Sequence, residues 1–143
     1  MNLIAWSQNM TPEAATASGA TLVSKHKLFE RADILTIHLV LSSRTRGLVG
    51  AAELQRMKPT ARLVNTSRGP IVDEHALISV LKNKRIAGAA IDVFDTEPLP
   101  PSHPFRTLDN VLATPHIGYV SDGLYKTFYE DTVSNIRQWL DAQ

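Results

Sequence analysis

The 143 residues carry 15 basic and 14 acidic side chains, for a net charge of +1, and are 43% hydrophobic and 20% charged. This is the composition of one globular domain, which excludes a disordered chain; with no long basic run, it also excludes a surface for nucleic acid or anionic membrane. The absence of cysteine excludes disulfides, a thiolate metal site and a cysteine nucleophile together.

Along the chain, strand-like and helix-like segments alternate, without internal repeats or low-complexity linkers. Asn2–Trp6 (NLIAW) and Ala20–Ser24 (ATLVS) read as short strands. Ile34–Val40 (ILTIHLV), Arg62–Thr66 (RLVNT), Ala87–Phe94 (AGAAIDVF) and Val111–Pro115 (VLATP) continue the series. Near-continuous apolar runs, rather than strict alternation, mark strands covered on both faces. Ala51–Lys58 has a helical pattern that Pro59 stops. Asp73 can cap the next helix, in which Ala76, Leu77, Val80 and Leu81 recur at helical spacing and Lys82, Lys84 and Arg85 close the last turn. The final segment places Leu124, Phe128, Val133, Ile136 and Leu140 along one stripe, a long amphipathic helix. Strands alternating with helices predict an α/β fold with a doubly wound parallel sheet.

The opening MNLIAWSQNM lacks a basic n-region, so it does not read as a secretory signal. The longest apolar stretch, Ile34 to Leu41, is interrupted by His38 and falls far short of the ~20 residues of a spanning helix. A cytoplasmic protein, off the membrane, is the expectation.

In open parallel sheets, ligands bind beyond the carboxyl ends of the strands. Three predicted strands deliver functional groups there: Arg68 after RLVNTS, Asp92 and Glu97 at and after the end of AGAAIDVF, and His116 after VLATP. Each alone is weak, since an Arg after a strand often caps a helix and a lone His is more often structural than catalytic. Together they fit the oxidation of a 2-hydroxy acid. His116 can take the hydroxyl proton, a carboxylate such as Glu97 would favour the imidazolium, and Arg68 offers a planar fork for the substrate carboxylate. No side chain accepts a hydride, so a nicotinamide is required.

The strings NTSRGPIVDEHAL (65–77), AGAAIDVFDTEPLP (87–100) and NVLATPHIGYVS (110–121) resemble three signature blocks of the D-isomer-specific 2-hydroxyacid dehydrogenases. That family includes phosphoglycerate dehydrogenases and hydroxypyruvate reductases. The resemblance covers essentially the whole chain and implies a partial, Rossmann-like NAD(P)-binding domain over 1–143 with a C-terminal helix, lacking the first strand and the glycine-rich loop. It implies Arg68, Glu97 and His116 as the catalytic set. It further implies contacts to NAD or NADP from Ser7, His38, Leu39, Thr66, Ser67, Arg68, Asp92, His116 and Gly118, with His38 and Leu39 on the adenosine side. A small 2-hydroxy or 2-keto acid would be the substrate.

Two departures from the family pattern matter. The family's Gly-x-Gly-x-x-Gly is absent from these residues, since Gly47 and Gly50 are separated by two residues and follow no strand end. The strand that carries it and the substrate domain would precede Met1. Without that strand, direct closure of the gap or exchange between two chains is expected, and from this strand gap follows the expectation of a homodimer. The second departure is Ser7, where members that prefer NAD carry an acid. Ser7-Gln8-Asn9 offers neither a carboxylate to repel a 2′-phosphate nor an adjacent Arg to grip one. NAD and NADP both remain open, with a lean toward NADP. Arg31 and Lys25 are the cations that would contribute from elsewhere, though both read as solvated helix residues, and His26, His75 and His103 read as exposed. Trp6 and Trp139 read as core or interface anchors. No His, Asp or Glu cluster has ligand spacing, so no metal is expected. The competing expectation is a non-catalytic remnant of a nucleotide domain, acting as a dimerisation or binding module.

Overall fold

The computed structural model describes all of residues 1–143. In chain order the elements are β1 (Ile4–Ala5), α1 (Pro12–Ala17), β2 (Thr21–Leu22), α2 (Lys25–Arg31) and β3 (Ile34–Ile37). They continue with α3 (Ala51–Leu54), β4 (Arg62–Asn65), α4 (Glu74–Lys82), β5 (Gly88–Ile91), β6 (Val111–Ala113) and α5 (Asp122–Asp141). Every strand pairing is parallel, as the alternation predicts. The strands form two ladders, a pair β1-β2 and a four-stranded sheet in the order β3-β4-β5-β6.

No hydrogen-bonded ladder joins β1 to β3, so the chain does not close the expected gap by itself. This corrects the expectation of direct closure. It also explains why β1 spans two residues rather than the five of NLIAW, since only β2 pairs with it. The interior strands end together for a similar reason. Asn65 is in register with Ile37 on one side and Ile91 on the other, so His38, Thr66 and Asp92 all fall just beyond the sheet. This shared end places the site.

Side-chain caps define the helices. Thr11, Ser24, Asp73 and Ser121 each accept a hydrogen bond from the amide three residues on, as good N-caps do. The predicted helix over 51–58 is shorter, ending at Leu54. Met57 turns inward to full burial, and Arg85 binds the carbonyls of Met57 and Gln55 that further helix would have used. Lys84 and Arg85 therefore lie past the end of α4, and Lys84 pairs with Asp109 at 3.2 Å.

The core is one cluster in which Leu54, Met57, Leu63, Ile71, Leu81 and Ile86 are fully buried around β3 to β5, α3 and α4. α5 stands apart from it. Leu124, Phe128, Val133, Ile136 and Leu140 are all exposed, and Trp139 is exposed too, so it anchors no core of this chain. No helix is long and apolar enough to cross a membrane.

Candidate active site at the carboxyl edge of the sheet

The site begins at the end of β4. Asn65 is a buried polar side chain in an apolar strand. Its amide donates to the Arg68 carbonyl at 3.0 Å and its carbonyl accepts from the Ser67 amide at 3.1 Å, which folds the 65–68 turn. The Ser67 hydroxyl donates to the Leu39 carbonyl, tying this turn to the end of β3. Gly69 then passes so close to Phe94 that a β-carbon would stand 2.2 Å from its carbonyl carbon. Any other residue would push the turn bearing Arg68 away from the loop bearing Glu97. Asn65 was missed from sequence, although an amide ending RLVN was a readable signal.

After β5 the chain delivers Asp92, buried at 5% exposure. Its Oδ1 accepts from the Thr114 hydroxyl and from the Ile117 amide at 2.9 Å, and its Oδ2 from the Gly118 amide at 2.8 Å. Burial pushes this carboxyl up. The Thr114 hydroxyl, the two amides and the nearby His116 outweigh it and hold Asp92 below the usual carboxylate range. The 114–118 turn is thus wrapped around one carboxylate, and it carries His116 in the left-handed backbone region, at φ 57°.

Glu97 completes the arrangement. Its Oε1 accepts from the Phe94 amide at 2.9 Å and its Oε2 meets His116 Nδ1 at 2.7 Å. Burial raises its carboxyl, but the hydrogen bonds from His116 and Phe94 and the charges of His116 and Arg68 bring it below the ordinary range. With Nδ1–H directed at Glu97, the neutral imidazole presents Nε2 as an acceptor. The structure therefore pairs Glu97 with His116 beyond the ends of β5 and β6, while Arg68, beyond the end of β4, acts on Glu97 through its charge. Arg68 is exposed, and its Nη1 donates to the Ser67 carbonyl at 2.6 Å. A cleft of about 780 Å³ has Glu97 and His116 on its wall together with Phe94, Leu99, Arg106 and Leu112, but not Arg68.

The remaining site residues divide by location. Thr66 is exposed beside Arg68. Gly118 serves Asp92 through its amide. Asp92 has accepted three hydrogen bonds, and Oδ2 keeps one lone pair for a donor such as a carboxamide N–H. At the other end of the edge, Ser7 and Leu39 line a separate small cavity. His38 is held by Thr36 at 2.9 Å and does not line that cavity.

Two polar expectations are corrected. His103 is largely buried, with Nε2 3.0 Å from Glu74 and its ring 4.9 Å from that of Phe105, because Glu74 at the start of α4 needs a partner. Lys25 is not a solvated residue: it pairs with Glu53 at 2.8 Å and lies 6.0 Å over the Trp6 ring. Arg44, which the local sequence around Ser7 does not reveal, lines the Ser7 cavity from a loop distant in sequence.

Residues 1–118 match the family described as D-isomer specific 2-hydroxyacid dehydrogenase, NAD binding domain. A D-3-phosphoglycerate dehydrogenase from Synechocystis is 40% identical over 140 residues, 98% of this chain and 25% of that protein. A glyoxylate reductase from Aeropyrum pernix is 47% identical over 116 residues, 81% of this chain and 35% of that protein. Among solved structures, a phosphoglycerate oxidoreductase from Vibrio cholerae superposes with a TM-score of 0.90 at 34% identity, covering 100% of this chain and 46% of that one. The chain thus spans a quarter to about a half of these relatives' length.

Proposed function

Because the chain belongs to the D-isomer-specific 2-hydroxyacid dehydrogenases by their NAD binding domain, we propose that it supplies the acid/base and cofactor-side machinery of an NAD- or NADP-dependent oxidoreductase acting on a small 2-hydroxy or 2-keto acid. The carrying observation is the 2.7 Å Glu97–His116 pair, fixed at one end by the Phe94 amide and at the other by the turn around Asp92. His116 Nε2 takes the hydroxyl proton on oxidation and returns it on reduction, while Glu97 stabilises the imidazolium that forms. Arg68 offers parallel N–H groups to the substrate carboxylate and orients the reacting carbon. Thr66 and the free lone pair of Asp92 face the nicotinamide side, and Ser7 and Leu39 the adenosine side. When bound, the nicotinamide supplies the hydride exchange that no side chain provides.

The test is a chimera in which residues 1–118 replace the matching segment of the archaeal glyoxylate reductase. Reduction of glyoxylate and hydroxypyruvate with NADH and NADPH is expected. His116→Ala should lower kcat by roughly two to four orders of magnitude, the range for loss of a general acid–base. Turnover that survives His116→Ala refutes the assignment. A second reading rests on the two separate ladders: a nucleotide domain that acts by binding. A folded chimera without turnover favours it.

A further inference from the structure

The cavity between the carboxyl ends of β1 and β3, about 140 Å³, is lined by Trp6, Ser7, Gln8, Leu39, Arg44 and Thr45, among others, with one cation and no acidic side chain in its wall. Arg44 enters none of the chain's ion pairs. The other cation near Trp6, Lys25, is already bound to Glu53. The loop carrying Arg44 is braced from within. Thr45 Oγ1 donates to the Val40 carbonyl at 2.7 Å and accepts from the Ser42 amide at 2.8 Å, and the amides of Thr45 and Arg46 both bond the Ser42 carbonyl. Arg44 thus stands on a braced turn in the wall of a cavity that the half-buried Ser7 also lines.

A guanidinium and a hydroxyl, with no carboxylate nearby, suit a phosphate monoester, which accepts forked N–H donors. In dinucleotide-binding sheets the strand end that β1 occupies faces the ribose 2′ position, where a carboxylate binds the hydroxyl and an arginine accommodates a phosphate. We propose that Arg44 is the specificity-determining cation of this chain, its guanidinium and the Ser7 hydroxyl receiving the 2′-phosphate of NADP. The proposal rests on the cofactor reading above, in which this cavity is the adenosine end.

The experiment titrates the 143-residue chain with adenosine 2′,5′-bisphosphate, 5′-AMP and inorganic phosphate, following the indole N–H of Trp6 by NMR. Trp139, on α5 and outside the cavity, is the internal control. The bisphosphate should bind about tenfold more tightly than 5′-AMP, the factor that one charge-assisted contact of about 1.4 kcal/mol supplies. Arg44→Ala should bring that ratio to about one without changing the affinity for 5′-AMP. Arg44→Lys should keep part of it, since lysine restores the charge without the fork. A ratio of one in the unaltered chain, or a ratio that survives Arg44→Ala, overturns the proposal while Trp6 shifts with 5′-AMP keep the adenosine reading. Inorganic phosphate binding as tightly as the bisphosphate also overturns it. No Trp6 response to any of the three overturns the proposal and the adenosine reading together.

Discussion

Gly118 approaches the carboxylate of Asp92 so closely that a β-carbon on it would stand 2.9 Å from Oδ2, and its amide donates to that oxygen across 2.8 Å. The contact closes a turn that holds His116 at φ 57°, a backbone region that costs a residue with a side chain about 1–2 kcal/mol. Three hydrogen bonds to one buried carboxylate offset that cost, each contributing roughly 1.5–3 kcal/mol when the acceptor is charged. His116, the proposed acid/base, is therefore aimed by a buried anion at the end of the neighbouring strand, which gives Asp92 a positioning role.

Asp92→Asn and Gly118→Ala test this role. The asparagine amide would set N–H against an N–H of the turn, and the alanine methyl would collide with Oδ2. Each should destabilise the chain by about 1–3 kcal/mol and shift the His116 ring resonances. Calorimetry and NMR of both variants check it. Unchanged melting together with unchanged His116 resonances would show that the turn forms without the carboxylate.

Acid should unfold the chain through the same groups. Asp92 and Glu97 are both held below their usual range in the folded state. The unfolded chain therefore takes up these protons first, from about pH 4 downward. Stability from the two groups is present above that pH and is lost as pH falls through the lower folded-state values. Asp95 works in the opposite direction, because burial and then Glu74 raise its carboxyl. Denaturant titrations from pH 7 to pH 3 should show stability falling below about pH 4, with a smaller fall in Asp92→Asn. Identical profiles for the two proteins would remove Asp92 from the account.

The order and type of the strands were legible because apolar runs and breakers are local signals. Arg68, Glu97 and His116 were legible because each follows a strand end. The reason they converge was not. It depends on Asn65 and Gly69 folding one loop against another, and on Asp92 bonding residues 25 and 26 positions later. The strand ends moved inward because a ladder stops when its neighbour stops, which no single segment reveals. Arg44 and Ser7 share a cavity across 37 positions of sequence, a proximity that the residues flanking Ser7 do not reveal.

His103 provides a test of the loop that carries Glu97. Its Nδ1 accepts from the Phe105 amide at 3.3 Å, so Nε2 carries the proton that meets Glu74. A neutral ring satisfies both contacts. The other Glu74 oxygen accepts from the Asp95 amide at 3.4 Å, two residues before Glu97. His103→Ala should cost about 1–3 kcal/mol by leaving a half-buried carboxylate oxygen unpaired. Hydrogen exchange at residues 94–97 should accelerate with it. Protection that is unchanged in the variant would separate this pair from the Glu97 loop.

The 143 residues by themselves should bind a dinucleotide weakly and turn over no 2-hydroxy acid. Affinity in this fold depends heavily on backbone amides and a helix dipole at the pyrophosphate, and the sequence holds no glycine-rich loop to provide them. The contacts that remain contribute on the order of 1–3 kcal/mol each, against an association cost of at least ~4 kcal/mol. Millimolar affinity is expected for NADH and NADPH by isothermal titration. Micromolar binding with turnover would mean that a second chain or another segment supplies the phosphate site.

The last expectation concerns assembly. β3 pairs only with β4 and β1 only with β2, so one edge of each ladder has backbone groups without strand partners. Such edges recruit other strands unless they are covered. Ile34 and Val40, at and beyond β3, are 62% and 84% exposed, and the whole apolar stripe of α5 is exposed as well. Apolar surface of this extent on a small chain marks an interaction face. We therefore expect a homodimer, seen in light scattering as twice the mass of one chain, with a melting temperature that rises with protein concentration. Ile34→Lys and Leu124→Lys, made separately, should distinguish the β3 edge from the α5 face as the contact. A monomer whose melting temperature is independent of concentration would show that both surfaces tolerate water in the isolated chain.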